Sequence, residues 1–200
     1  PPLRGRLGGG ECYTLKMLTN CAIITTSSCD LKCQHCLRGF PQERTDFPIE
    51  LLDKLLTEAS LFGARHVGLT GGEPHLHPQF EEMVETIIRY GYTWHFVSHG
   101  QRTAPYLPTM EKYPEKISHV ALSIDGANAE THDELRGKKG AFEKVKKAAQ
   151  IYLEKGFKVK ASMTLNQINK GEVREFIKLA ESLGIKNIGF GGTIPTVWNE

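Results

Sequence analysis

The sequence predicts an α/β fold with a parallel sheet, on three observations. Apolar, β-branched runs alternate with amphipathic helical stretches, glycines stand where helices should end, and polar and glycine residues gather after the strands. Strands are expected near Cys21–Thr26, His66–Thr70, Thr93–Ser98, His119–Ile124, Phe157–Thr164 and Asn187–Phe190. Helices fit between them near Ile49–Phe62, Gln79–Tyr90, Ala141–Lys155 and Val173–Leu183. Pro48 and Pro78 stand at helix starts, where a missing N–H costs nothing, and Gly63, Gly91, Gly156 and Gly184 follow helical runs as C-terminal caps. This order fits an open doubly wound sheet or a barrel, complete or partial. In either, chemistry collects in the loops at the C-terminal ends of the strands.

With 200 residues, of which 40% are hydrophobic and 24% charged, the chain makes one globular domain with a sizeable core. A formal charge of +2 is too small for a nucleic-acid binder, and the one dense basic run, Lys138, Lys139, Lys144, Lys146 and Lys147, reads as a solvated helix face. No apolar run reaches the length of a membrane span and no signal peptide pattern opens the chain, so a cytoplasmic protein is expected. The glycine-rich residues 1–20 read as an extension and 21–200 as the core domain of a longer polypeptide.

The cysteines carry the chemistry. Three of the five lie in Cys29-Asp30-Leu31-Lys32-Cys33-Gln34-His35-Cys36, a C-x3-C-x2-C spacing on the loop leaving the first strand. That layout is poor for a disulfide framework and good for an inorganic centre. A [4Fe–4S] cluster commonly takes four cysteine ligands, so three leave one iron open to an exogenous ligand, as a catalytic centre requires. Structural zinc, with His35 or Cys21 completing a tetrahedron, and a dithiol pair at Cys33 and Cys36 are the alternatives. The alternative function is a non-catalytic zinc or cluster-bearing interaction domain. Cys12 and Cys21 show no partner pattern.

The spacing resembles the signature of the radical S-adenosylmethionine (SAM) superfamily, and other loops extend the likeness. Gly71-Gly72-Glu73-Pro74 resembles that family's GGE motif, Ser98-His99-Gly100 its T/S-N-G with His99 in place of Asn, Leu122-Ser123-Ile124-Asp125-Gly126 its S-x-D-G strand end, and Arg136-Gly137-Lys138-Lys139-Gly140-Ala141-Phe142 its R-G-x-x-G-x-F segment. The order of motifs is similar to that of the group containing the molybdenum-cofactor cyclase, haem-modifying, sulfatase-maturing and SPASM- or Twitch-type peptide-maturing enzymes.

What the resemblance implies is a partial (βα)6 TIM-like barrel. Cys29, Cys33 and Cys36 would hold a [4Fe–4S] cluster, and the open iron would chelate SAM. His35 would lie near the adenine, Gly72 and Glu73 at the SAM amino group, Ser98 at the ribose, Ser123 and Asp125 along the cavity, and Arg136 at the carboxylate. Thr164 would close over the adenosine and Ile194 would cover the adenine. A flavodoxin- or ferredoxin-type donor would supply the electron that cleaves SAM to methionine and a 5′-deoxyadenosyl radical, and the substrate would be a peptide, a protein or a small molecule. His75 and His77 flank Leu76 as a candidate metal pair, but the resemblance gives His77-Pro78 a role in loop packing or capping of the next helix; His66, His95, His119 and His132 show no ligand spacing and are left as background.

Overall fold

In a computed structural model, residues 18–37, 39 and 43–193 are described. Cys12 and Ile194, and with them the expectation that Ile194 covers the adenine, lie outside the described residues. The elements alternate as expected. β1 (Cys21–Ile24) leads through a 3-10 turn at Ile49–Leu51 to α1 (Leu52–Leu61), then β2 (His66–Thr70), a second 3-10 turn at Pro74–Leu76, α2 (Phe80–Arg89) and β3 (Thr93–Ser98). There follow α3 (Leu107–Lys112), β4 (Ile117–Ser123), α4 (Ala129–Arg136), α5 (Ala141–Glu154), β5 (Val159–Leu165), α6 (Val173–Ser182) and β6 (Asn187–Gly192). The strands lie side by side in the order β1-β2-β3-β4-β5-β6, every pair parallel, and β1 and β6 do not meet. The sheet is an open, barrel-like array.

Two helices were not expected from the sequence. α3 lies between Pro105 and Pro114 with Pro108 in its first turn, and α4 is polar over most of its length, so neither shows a long apolar period. α4 is secured by its ends. Asn128 Oδ1 accepts the Thr131 N–H at 3.0 Å, and Gly137 stops the helix in the left-handed conformation at φ 65°.

Period-2 geometry gives the strands two distinct faces. Val67, Leu69, Trp94, Phe96, Val120, Leu122, Val159 and Ala161 are buried toward the helices, against Leu52, Leu56, Met83, Ile87, Val145 and Phe176. The other face is polar and carries His66, His95, His119 and Lys160 low on the strands, then Ser162, Ser123 and Thr164 nearer their C-terminal ends.

The histidines, background in the sequence, form a ladder across β2, β3 and β4. The His66 and His95 rings lie 7° from parallel with Nε2 to Nδ1 at 2.6 Å, and His95 stacks on His119 at 4.4 Å between centroids. Their tautomers follow from a terminal hydroxyl. Thr93 Oγ1 donates to the Arg65 carbonyl, so it accepts from His66 Nδ1–H, and His66 Nε2 is left to accept from His95 Nδ1–H. Gly68 makes room for this, since a Cβ there would stand 2.6 Å from His95 Cε1.

Protonating His66 at Nε2 would set N–H against N–H at the shared contact, and a second proton on His95 would place its charge between two stacked rings, so the ladder favours neutral imidazoles. Burial, then His119, His66 and Lys160, push His95 down to about 4, and burial lowers His66 and His119 as well. The unfolded chain therefore takes up protons on these rings near pH 6.5, before the folded one does. Stability contributed by the ladder is present above pH 6.5 and is lost as pH falls toward 4. Thermal melts across that window should fall more steeply for the wild type than for His95→Gln; parallel curves would remove the ladder from the acid response.

Candidate active site

The loop after β1 is fixed to its neighbour before any cysteine is considered. Gly72 N–H donates to the Thr26 carbonyl at 2.7 Å and Glu73 N–H to the Ser28 carbonyl at 2.8 Å, which clamps the Gly-Gly-Glu loop after β2 onto the start of the cysteine loop. The approach is closer than any side chain allows. A Cβ at Gly72 would lie 1.7 Å from the Ser28 carbonyl oxygen. Farther along, Gln34 N–H donates to the Leu135 carbonyl at 2.9 Å, tying the same loop to α4.

Glu73 turns inward from this clamp and is fully buried. Its Oε1 accepts from Ser98 Oγ at 2.6 Å and from Tyr106 Oη, with His75 Nδ1 at 3.4 Å. Its Oε2 accepts from the His99 N–H at 3.0 Å and faces His99 Nε2 at 3.0 Å. Burial alone would raise its pKa, but His75, His99, Ser98 and Tyr106 outweigh it and hold the carboxyl below its usual value. These contacts fill the roughly four lone-pair positions of a carboxylate.

His99 extends the network to the cysteine loop. The Gln101 N–H donates to His99 Nδ1 at 3.2 Å, so the ring proton sits on Nε2, where it is shared between Glu73 and Asp30 Oδ1, the latter at 2.7 Å. Cys29, Asp30 and His99 bring ligand atoms within 4.8 Å of one another, yet the committed Nε2 proton removes His99 as a metal donor.

A second buried network closes the other side. Asp125 Oδ2 meets Arg136 Nη2 at 2.5 Å and His35 Nε2 at 3.0 Å, and Oδ1 accepts the Thr164 N–H at 2.7 Å. Burial pushes the Asp125 carboxyl up, but Arg136 and then His35 hold it down at about 2. Arg136 also points Nη1 at Cys33 Sγ, 3.6 Å away. Asn169 Nδ2 fixes the Asp125 carbonyl at 2.8 Å, and His132 Nδ1 accepts the Asp125 N–H at 3.1 Å.

The expected site residues thus fall into two groups, Gly72, Glu73 and Ser98 on one flank of the cysteine loop and His35, Asp125, Arg136 and Thr164 on the other. Ser123 is half-buried in register with Ser162 at the end of β4. Sequence reasoning missed Tyr106, Asp30, His75 and Asn169. Asp30 lay inside the cysteine motif; Tyr106, remote from every motif, gave no signal.

Cys29, Cys33 and Cys36 are free thiols. Burial pushes Cys29 to about 11 and raises Cys33, with Arg136 opposing at Cys33. Bound iron reverses this, because a coordinating thiol is deprotonated outright. Three soft thiol donors on one loop, with no fourth cysteine beside them in the motif, fit an iron–sulfur centre that keeps one iron open. Arg136 Nε and His35 Nδ1 are buried without a partner, so polar contacts remain open where SAM would lie.

A parallel six-stranded α/β sheet with three cysteines on the loop after its first strand defines a radical SAM core. The family model for the Radical SAM superfamily matches residues 23–180, and the chain belongs to that superfamily, whose members use a [4Fe–4S] cluster and SAM. The chain is 29% identical over 169 residues to the antilisterial bacteriocin subtilosin biosynthesis protein AlbA of Bacillus subtilis, covering 82% of this chain and 37% of AlbA. It is 29% identical to the mycofactocin maturase MftC of Mycobacterium tuberculosis and to the AdoMet-dependent heme synthase of Methanosarcina barkeri, covering 80% of this chain in both and 41% and 46% of those proteins. The chain spans less than half the length of these relatives. In fold it is similar to Streptococcus suis SuiB bound to S-adenosylmethionine, with a TM-score of 0.79 at 17% identity over 91% of this chain and 42% of SuiB, and to anSMEcpe with bound AdoMet, with 0.73 at 19% over 91% and 54%.

The clamp at Gly72 predicts a local cost. Gly72→Ala forces the two loops apart and should destabilise the protein by about 3 kcal/mol, the upper end for overpacking. Gly171→Ala, with nothing within 4 Å of the added carbon, is the control. Equal melting temperatures for the two variants would show that the loops do not depend on this contact.

Proposed function

We propose that residues 21–200 form the catalytic core of a radical SAM enzyme that matures a peptide, a protein or a cofactor, with residues 1–20 as an extension and a flavodoxin- or ferredoxin-type electron donor. The observation that carries the proposal is the placing of Cys29, Cys33 and Cys36 on one loop clamped between two buried networks. The maturases among the relatives favour a peptide substrate over a free metabolite.

When bound, the cluster and SAM supply reductive cleavage of the sulfonium to methionine and a 5′-deoxyadenosyl radical that takes hydrogen from the substrate. The chain's own part is to hold and orient. Cys29, Cys33 and Cys36 ligate, and the backbone at Gly72 and Glu73, fixed by the clamp, meets the SAM amino group. Glu73 contributes there as a buried negative charge, its oxygens already engaged. Arg136 offers its unpartnered Nε–H to the SAM carboxylate while Asp125 keeps the guanidinium in place. Ser98, Ser123 and Thr164 line the ribose side, and His35, held by Asp125, presents a flat ring to the adenine.

After anaerobic reconstitution, about four iron and four sulfide per chain are expected in the wild type and in Cys21→Ala, and loss of iron in Cys29→Ala, Cys33→Ala and Cys36→Ala. Reduced with dithionite, the loaded protein should release 5′-deoxyadenosine from SAM, with Cys36→Ala as the background control. A fully loaded Cys33→Ala protein, or a reducible, SAM-binding wild type that yields no 5′-deoxyadenosine, would overturn the proposal.

A further inference from the structure

We infer that a basic rim beside the cysteine loop, formed by Lys32, Arg102, Lys138 and Lys139, is the docking surface for an acidic one-electron carrier protein. The inference rests on the radical SAM reading, since only a redox centre in this loop needs an electron from outside.

Three separate parts of the chain build the rim. Lys32 is exposed within the cysteine loop, and its carbonyl oxygen lies 2.5 Å from where a Cβ on Gly137 would stand, which brings it beside the α4–α5 turn. Lys138 and Lys139 occupy that turn and precede α5, so they do not belong to the helix face that the sequence suggested. Lys138 Nζ lies 3.9 Å and Arg102 Nε 4.0 Å from Asp30 Oδ2, which puts the loop after β3 on the same surface.

Asp30 offsets part of this charge, its Oδ2 facing Lys138 and Arg102 while Oδ1 is drawn inward by His99. Asp133 turns its carboxylate to the Gly140 and Phe142 N–H groups as a surrogate cap for α5, and Glu134, whose carbonyl oxygen accepts from Gln34, stands beside the loop. Among the described residues the four cations named outnumber Asp30 and Glu134, although the whole chain carries only +2. In the same loop, next to Cys36, Leu37 is 54% exposed and offers an apolar side chain to a partner.

Charge around a small apolar centre suits a brief, steered encounter. Complementary charge raises association rates and is screened by salt, and electron-transfer contacts are small compared with stable interfaces. A small acidic redox protein meets both conditions. One electron leaves the carrier and enters the cluster, so the carrier is oxidised and the cluster reduced by one unit, with no bond made or broken at the surface.

The test is stopped-flow reduction of the reconstituted chain by reduced flavodoxin at low and high salt, with dithionite as a donor that needs no docking. In the wild type the flavodoxin rate should fall as salt rises. In Lys32→Glu/Lys139→Glu, whose side chains are exposed and hold no site residue, it should fall at least about tenfold at low salt while the dithionite rate stays unchanged. If that variant also loses dithionite reduction, Lys32→Gln/Lys139→Gln decides: a slower flavodoxin rate with intact dithionite reduction is expected, and an unchanged one overturns the inference. A salt-insensitive wild type, or flavodoxin reduction of the Glu variant at the wild-type rate, overturns it directly. A wild type with no dithionite-reducible cluster fails at the earlier step and takes this inference with it.

Discussion

The site depends on one contact, the approach of the Gly72 backbone to the Ser28 carbonyl. Through it the loops after β1 and β2 become one rigid unit. The contact needs a residue without a side chain at position 72 and an anchor directly after it. Glu73 is that anchor, buried and ringed by Ser98, Tyr106, His75 and His99. A buried carboxylate is costly unless its hydrogen bonds are met, and here the donors come from both β3 and the segment leading to α3. The register of β3 against β2 is thus carried into the position of the cysteines.

On the far flank Asp125 and Arg136 do a similar job with opposite charges. Each alone would be an uncompensated ion in a nearly closed space; together, with His35, they set the end of β4 against the part of the cysteine loop that carries His35. The two networks differ in what they leave unused. Around Glu73 the acceptor positions are taken, whereas Arg136 Nε and His35 Nδ1 remain unpartnered. The Arg136 Nε–H is a donor that suits a ligand carrying a carboxylate, while His35 Nδ1, its ring proton turned to Asp125, is left as an acceptor.

The strands β2 and β3 and all three cysteines were readable because the evidence for them is local: a period of two, a bounding glycine, a spacing of three and two residues. What escaped was set by register. His66, His95 and His119 stand far apart in sequence and carry no ligand spacing, yet parallel pairing stacks their rings. Lys32 passes Gly137, and Lys138 reaches Asp30, only because α4 ends where the cysteine loop passes. The short helices α3 and α4 lacked an apolar stripe long enough to declare them, and Tyr106 has a role only through the carboxylate it reaches.

Among the described residues β1 is an edge strand whose one strand partner is β2, and directly after it Thr25 and Ser27 are tied to Phe47 and Thr45. The cysteine loop therefore hangs from a strand with lateral support on one side only, and edge elements are the first to open in local unfolding. Ligation by a centre that binds only the closed form draws on the same equilibrium as strand docking, so loading and edge closure are thermodynamically linked. In the metal-free chain, amide hydrogens of β1 should exchange faster than those of the central strands β3 and β4, and assembly of the cofactor becomes the last step in folding this side of the sheet.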